Sequence, residues 1–153
     1  MREPNQILTA RDLMTSNLLT FHPHQTIWTA MQALLKHGVS GGPVIDDDQM
    51  LIGVLSELDC LKMLASEDFY SEEQEESTHV AQYMSVGGRT IAPELGIYGI
   101  SHYFVIESVR RLPVVEKGRL IGQVSRRDVL RGMEEMNRKR LVRRRYPDYV
   151  QPA

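Results

Sequence analysis

The sequence is poor in features that would define several protein classes. Among its 153 residues there is one cysteine, Cys60, so no internal disulfide can form and a stapled secreted scaffold is excluded. Its neighbours are largely apolar, which reads as a small buried hydrophobe rather than a reactive thiol. No stretch approaches the ~18 consecutive apolar residues of a membrane span. The opening "MREPNQILTARDL" lacks the apolar block followed by small residues of a secretory signal, and a cytoplasmic protein with no membrane partner is expected. The histidines His22, His24, His37, His79 and His102 are scattered, without a Cys partner or an H-x-x-x-H spacing, so no metal site is expected. Gly41-Gly42 and Gly87-Gly88 lack the continuation of phosphate-loop and dinucleotide signatures. No Ser, His and acid form a nucleophile motif. Neither catalysis nor a required cofactor is predicted.

What is present suits a globular chain. Apolar residues make up 42% and charged residues 25%, both ordinary, and a chain of this length buries roughly two-thirds of its unfolded surface. The net charge of −2 conceals a separation. Glu67, Asp68, Glu72, Glu73, Glu75 and Glu76 crowd the middle, and Arg138, Lys139, Arg140, Arg143, Arg144 and Arg145 crowd the end.

The chain is an internal duplication. Shifted by 70 positions, Met14 falls on Met84, Thr15 on Ser85, Pro23 on Pro93, Ile27 on Ile97, Val39 on Val109 and Pro43 on Pro113. One deletion in "DDDQM" changes the shift to 69 and brings Gly53 onto Gly122, Ser56 onto Ser125 and Asp59 onto Asp128. Each half reads as strand, helix, strand, strand, helix. In the first, "NLLTF" is a strand, and Thr26 caps a helix whose apolar face includes Ile27, Ala30, Met31, Leu34 and Leu35 until Gly38 stops it. "VSGGPVID" and "LIGVLS" are strands around the "DDDQM" turn, and a helix starts after Ser56. The second half repeats this with "TIA", a helix near Gly96 to Ser108, strands around Lys117-Gly118 and a long helix from about Arg126. Gly96 and Gly99 each cost a helix roughly 1 kcal/mol relative to Ala, which predicts a late or irregular start there. The expected fold is α/β (α+β), two β-α-β-β-α repeats packed sheet to sheet with pseudo-twofold symmetry. The segments are a first repeat at 8–66, an acidic linker at 67–78, a second repeat at 79–136 and a basic helical extension and tail at 137–153.

Through "MTSNLLTFHP" with "MSVGGRTIAP", "GVSGGPVID" with "SVRRLPVVE", and "LIGVLSELD" with "LIGQVSRRD", the chain resembles the CBS domain family, in the form of a stand-alone tandem pair called a Bateman module. The resemblance covers about residues 8 to 136.

Ser-x-x-Asp where a strand passes into a helix is, first, a capping box, in which the Ser oxygen accepts a free helix N–H and the acid returns to the cap. The same geometry suits a ligand. A helix start offers unpaired N–H groups and a positive dipole end to a phosphate, and a carboxylate one turn on can accept ribose hydroxyls, which is how the family binds adenine nucleotides.

The resemblance implies two clefts per pair. One combines Ser125, Arg126 and Asp128 with Met14, Thr15 and Ser16 and with Val39, Ser40 and Gly41; the other combines Ser56 and Asp59 with Met84, Ser85, Val109, Arg110 and Arg111. Charge ranks the Ser125/Asp128 cleft first, because Arg126 and Arg127 follow Ser125 whereas Glu57 follows Ser56.

The expected function is a non-enzymatic regulatory module that binds AMP, ADP or ATP and reports occupancy to an unknown target protein. By resemblance it is also a homodimer, with Trp28, Tyr98 and Tyr103 covering an apolar face. The alternatives are a ligand-free dimerisation and protein-interaction scaffold and, more weakly, nucleic-acid binding through the basic tail. That tail reads as a helix ended by Pro147, with Met133, Met136 and Leu141 in one stripe.

Overall fold

Short polar caps and glycines set where the elements start and stop. The computed structural model describes residues 7–66 and 78–145. Asp12 Oδ2 accepts the Thr9 N–H at 2.7 Å and its hydroxyl at 2.8 Å, which nucleates the single turn α1 (Ala10–Leu13). Thr26 Oγ accepts the Thr29 N–H at 3.2 Å at the start of α2 (Ile27–His37). Gly38 ends α2 at φ 64°, in the left-handed region that lacks a Cβ penalty only for glycine. β1 (Gly41–Ile45) and β2 (Leu51–Ser56) form an antiparallel hairpin from Gly41↔Ser56 to Ile45↔Leu51, with an irregularity between Val44 and Ile45. Its turn is tied by Asp46 Oδ1, which accepts the N–H groups of Asp48 and Met50 at 2.9 Å each. α3 (Glu57–Leu64) begins at once after β2.

The second repeat follows with α4 (Val80–Tyr83), α5 (Ile97–Glu107), β3 (Arg111–Glu116), β4 (Arg119–Ser125) and α6 (Arg126–Arg145). β3 and β4 form their own two-stranded sheet. Lys117 and Gly118 turn it at φ 52° and 79°, the paired positive values that a tight two-residue hairpin requires. The first hairpin uses the longer Asp46-anchored turn, which accounts for the one-residue gap between the repeats. Helices and small antiparallel sheets together make an α+β fold.

Three local expectations change. The leading strands contract to single parallel bridges, Phe21 with Val44 and Ile91 with Val114, because only one residue of each segment exchanges backbone bonds with its neighbour. Phe21 N–H donates to Pro43 O, and Ile91 N–H to Pro113 O, both at 2.9 Å. α5 is regular from Ile97, with Gly96 as its N-cap. A Cβ at Gly99 would lie 2.8 Å from Leu95 Cδ1, so the missing side chain is the space that Leu95 fills. Leu35, placed on the apolar face of α2, is 83% exposed. Most of the acidic linker, from 67 to 77, lies outside the described residues, as do Pro147 and the end of the tail.

The chain divides into two compact units that do not follow the sequence halves. One is residues 1–16, 91–114 and 122–153; the other is residues 17–90 and 115–121. Each body therefore holds the leading segment of the other repeat. In the second unit the Val80 and Ala81 N–H groups donate to Gln25 O and Pro23 O at 2.9 and 3.0 Å. In the first unit the Ala10 and Arg11 N–H groups donate to Leu95 O and Pro93 O at 2.9 Å. The second unit packs Phe21, Ile27, Ala30, Leu34, Val44, Leu55, Met63 and Val80 into one core. In the first, Ala10, Ile97, Ile100, Leu112, Val114 and Val124 are fully buried.

A methionine over a glycine seals each leading segment. A Cβ at Gly53 would meet Met84 Sδ at 2.8 Å and the Ser85 carbonyl oxygen at 3.0 Å; one at Gly122 would meet Met14 Sδ at 2.5 Å and its Cγ at 2.8 Å. The glycine of "LIG" and the methionine before Thr15 and Ser85 are thus two halves of one contact. Gly53→Val should destabilise the chain by about 1–3 kcal/mol through overpacking, read as a lower midpoint in urea. An unchanged midpoint would show that the Met84 contact yields freely.

Candidate functional site

Two helix starts carry the same hydrogen-bonded device. At the first, Ser56 is the extended N-cap of α3. Ser56 Oγ accepts the Asp59 N–H at 3.2 Å, and Asp59 Oδ2 accepts the Ser56 N–H at 2.8 Å and hydroxyl at 2.9 Å. Asp59 Oδ1 accepts the Ser85 hydroxyl at 3.3 Å. At 3% exposure, Asp59 is the one buried charged residue among those described. Three donors compensate for removing it from water. The Glu57 N–H donates to Ser40 O at 2.9 Å, so this helix start has committed much of its donor capacity.

The second copy is more open. Ser125 Oγ accepts the Asp128 N–H at 3.1 Å, and Asp128 Oδ2 accepts the Ser125 N–H at 2.8 Å. Asp128 Oδ1 faces Arg131 Nη1 at 3.6 Å, with 13% of the aspartate side chain exposed. Thr15, the counterpart of Ser85, exchanges backbone bonds with Gln123 at 2.9 and 3.0 Å. It has no bond to Asp128 among the described residues.

The unit of Ser125 and Asp128 also contains Met14, Thr15, Ser16 and Arg126, together with Val109, Arg110 and Arg111. Met14 packs on Gly122, and Arg126 Nε donates to Val109 O at 3.0 Å. The unit of Ser56 and Asp59 contains Met84 and Ser85, together with Val39, Ser40 and Gly41. Ser85 lies beside β2 through reciprocal 2.9 Å bonds with Val54. The resemblance grouped Ser85 with Ser56 and Asp59, but neither the Ser85–Asp59 hydrogen bond nor the Arg131 contact was expected; i,i+3 spacing is the only signal for the second.

Cys60 is buried behind Asp59. Desolvation, followed by the neighbouring carboxylates of Asp59 and Glu57, pushes its thiol pKa up, which suits packing rather than nucleophilic chemistry. Among the described residues, no group of three or more His, Cys, Asp or Glu could hold a metal ion, and no helix is long and apolar enough to cross a membrane. On α6, Met133 and Met136 are half-buried but Leu141 is 53% exposed, so the expected apolar stripe does not reach it.

A CBS domain family model matches residues 10–66 and 90–135. The chain belongs to the CBS domain family. Its two matched segments make a tandem CBS pair. The fold is similar to that of the CBS-pair protein CBSX2 from Arabidopsis thaliana, at 28% identity and a TM-score of 0.73 over 87% of this chain and 99% of that one. A structure of CBSX2 in complex with AMP matches at 28% identity and a TM-score of 0.75 over 85% and 98%. The chain is also similar to an uncharacterized protein of Methanocaldococcus jannaschii, at 26% identity over 79% of this chain and 41% of that protein. With an A-adding tRNA nucleotidyltransferase of Geobacter sulfurreducens it shares 31% identity over 84% of this chain and 14% of the enzyme. It thus spans less than half the length of these curated relatives.

The two CBS capping boxes differ in how much their acids carry. Asp59→Ala removes a buried carboxylate that accepts three hydrogen bonds, from the half-buried Ser56 and the exposed Ser85, at a cost of about 1–3 kcal/mol. Asp128→Ala removes a more exposed cap contact worth about 1 kcal/mol. Chemical denaturation should therefore rank Asp59→Ala as the more damaging, and the opposite order would mean that Asp59 is not the better-tied acid.

Proposed function

We propose that this CBS pair is a non-enzymatic regulatory module that binds an adenosine-containing ligand of the AMP, ADP or ATP class at the start of α6 and reports its occupancy to a target protein. The observation that carries the reading is the state of Asp128. Its Oδ2 is held by the Ser125 N–H, while Oδ1 meets, among the described residues, only Arg131, at 3.6 Å. A carboxylate anchored through one oxygen can accept ribose hydroxyls at the other without breaking its own cap. The Ser125 hydroxyl and the positive end of α6 suit a phosphate, and Arg126 and Arg127 supply positive charge where α3 has Glu57. Met14, Thr15 and Ser16 lie in the same unit. The AMP complex of CBSX2 supports an adenosine ligand over other anions. Regulation then requires only that the ligand bind one conformation of the module better than another.

A homodimer is part of the proposal. On α2 and α3, which pack together, Trp28, Leu35, Leu58 and Leu61 are 51%, 83%, 60% and 57% exposed, more apolar surface than a solitary helix pair needs. This surface also favours the second reading, a scaffold that dimerises without ligand.

Isothermal titration and thermal shift with AMP, ADP, ATP and S-adenosylmethionine separate the two. The module should release or absorb heat and gain melting temperature with at least one adenine nucleotide, and Asp128→Ala should weaken that binding more than Asp59→Ala. No heat with any of them at millimolar ligand, together with a dimer in sedimentation, would leave the scaffold.

A further inference from the structure

We infer that Ser85 is a built-in competitor for ligand hydroxyls, closing the Ser56/Asp59 copy of the site and leaving Ser125/Asp128 as the copy that takes the adenosine ligand. The inference rests on the nucleotide reading above and adds which copy is used and why. Asp59 accepts from the Ser56 N–H, the Ser56 hydroxyl and the Ser85 hydroxyl at 2.8, 2.9 and 3.3 Å. A carboxylate has about four lone-pair sites, so three are filled in a residue only 3% exposed. The third donor is chemically what a sugar would bring, an aliphatic hydroxyl on a charged oxygen.

The backbone that carries the hydroxyl is fixed in place. Ser85 N–H donates to Val54 O and Val54 N–H to Ser85 O, each at 2.9 Å, and the Met84 side chain lies on Gly53. Ser85 therefore competes as an intramolecular partner, with the advantage of an already ordered reactant. A ligand at Asp59 must exchange one of its hydroxyls for that of Ser85 and has at most one acceptor site left to add. At Asp128 the backbone partnership recurs between Thr15 and Gln123, yet among the described residues the acid is bonded to Ser125 and faces Arg131, with no bond to the Thr15 hydroxyl. Ligand hydroxyls there add bonds instead of replacing them. Duplication supplied two equal acids, and one side-chain contact made them unequal.

A double-mutant cycle combined with AMP titration tests this. The effects of Ser85→Ala and Asp59→Asn on the urea midpoint should be non-additive, whereas those of Thr15→Ala and Asp128→Asn should add. The intact chain should take one AMP per chain and Asp128→Ala should bind it only weakly, and Ser85→Ala/Asp128→Ala should regain one AMP, with affinity raised about tenfold over Asp128→Ala alone, the worth of one hydrogen bond. An additive Ser85/Asp59 cycle, two AMP per intact chain, or no regain in the double variant of a chain that binds AMP would each overturn the inference. If the intact chain takes no AMP, the nucleotide reading fails by itself, and the Ser85/Asp59 cycle still decides whether the competing contact exists.

Discussion

The proposed function of this chain depends on a ring of two hydrogen bonds at the point where a strand becomes a helix. The serine accepts the aspartate N–H, and the aspartate accepts the serine N–H, with donor–acceptor distances of 2.8 to 3.2 Å in both copies. The ring starts the helix, orients the carboxylate and leaves its second oxygen to be used. Whatever meets that oxygen sets the character of the copy: Ser85 at Asp59, Arg131 at Asp128.

At Asp59 the second oxygen meets Ser85 because the leading segments cross over, whereas Arg131 reaches Asp128 from the same helix. Residues 78–90 belong to the unit of Ser56 and Asp59, and the segment ending at Ser16 to the unit of Ser125 and Asp128. Met84 on Gly53 and Met14 on Gly122 bring Ser85 and Thr15 alongside their β-strands. The duplicated scaffold thus holds two equivalent backbone arrangements, while side chains carry the divergence. Packing tolerates little change at the methionine–glycine contacts, whereas a hydroxyl or a charge near the carboxylate can alter affinity without disturbing the core.

Charge reinforces the asymmetry. Glu57 follows the serine of the closed copy, and Arg126 and Arg127 that of the open one. Arg126 Nε is tied to Val109 O at 3.0 Å, so its charge is held near the helix start by a backbone anchor. In the proposed reading this field favours an anionic ligand at the second copy and disfavours it at the first, in addition to the hydrogen-bond competition.

Much of this was legible in the residues alone. The repeat, both hairpins, the helix starts at Thr26, Ser56 and Ser125, the stop at Gly38 and the Ser-x-x-Asp device follow from contacts within four residues and from apolar spacing, which a linear reading sees. The contraction of the leading strands to Phe21 and Ile91, the regularity of α5 across Gly99 and the exposure of Leu35 were not legible, since each depends on what a distant segment places beside it. The decisive case is the pair of acids. By itself the sequence made Asp59 and Asp128 equivalent as caps and separated them only by the charges beside them, Glu57 against Arg126 and Arg127. Only the tertiary structure tied one of them to a further hydroxyl, because a hydrogen bond between residues 26 positions apart depends on how distant segments pack, and no local pattern encodes that distance.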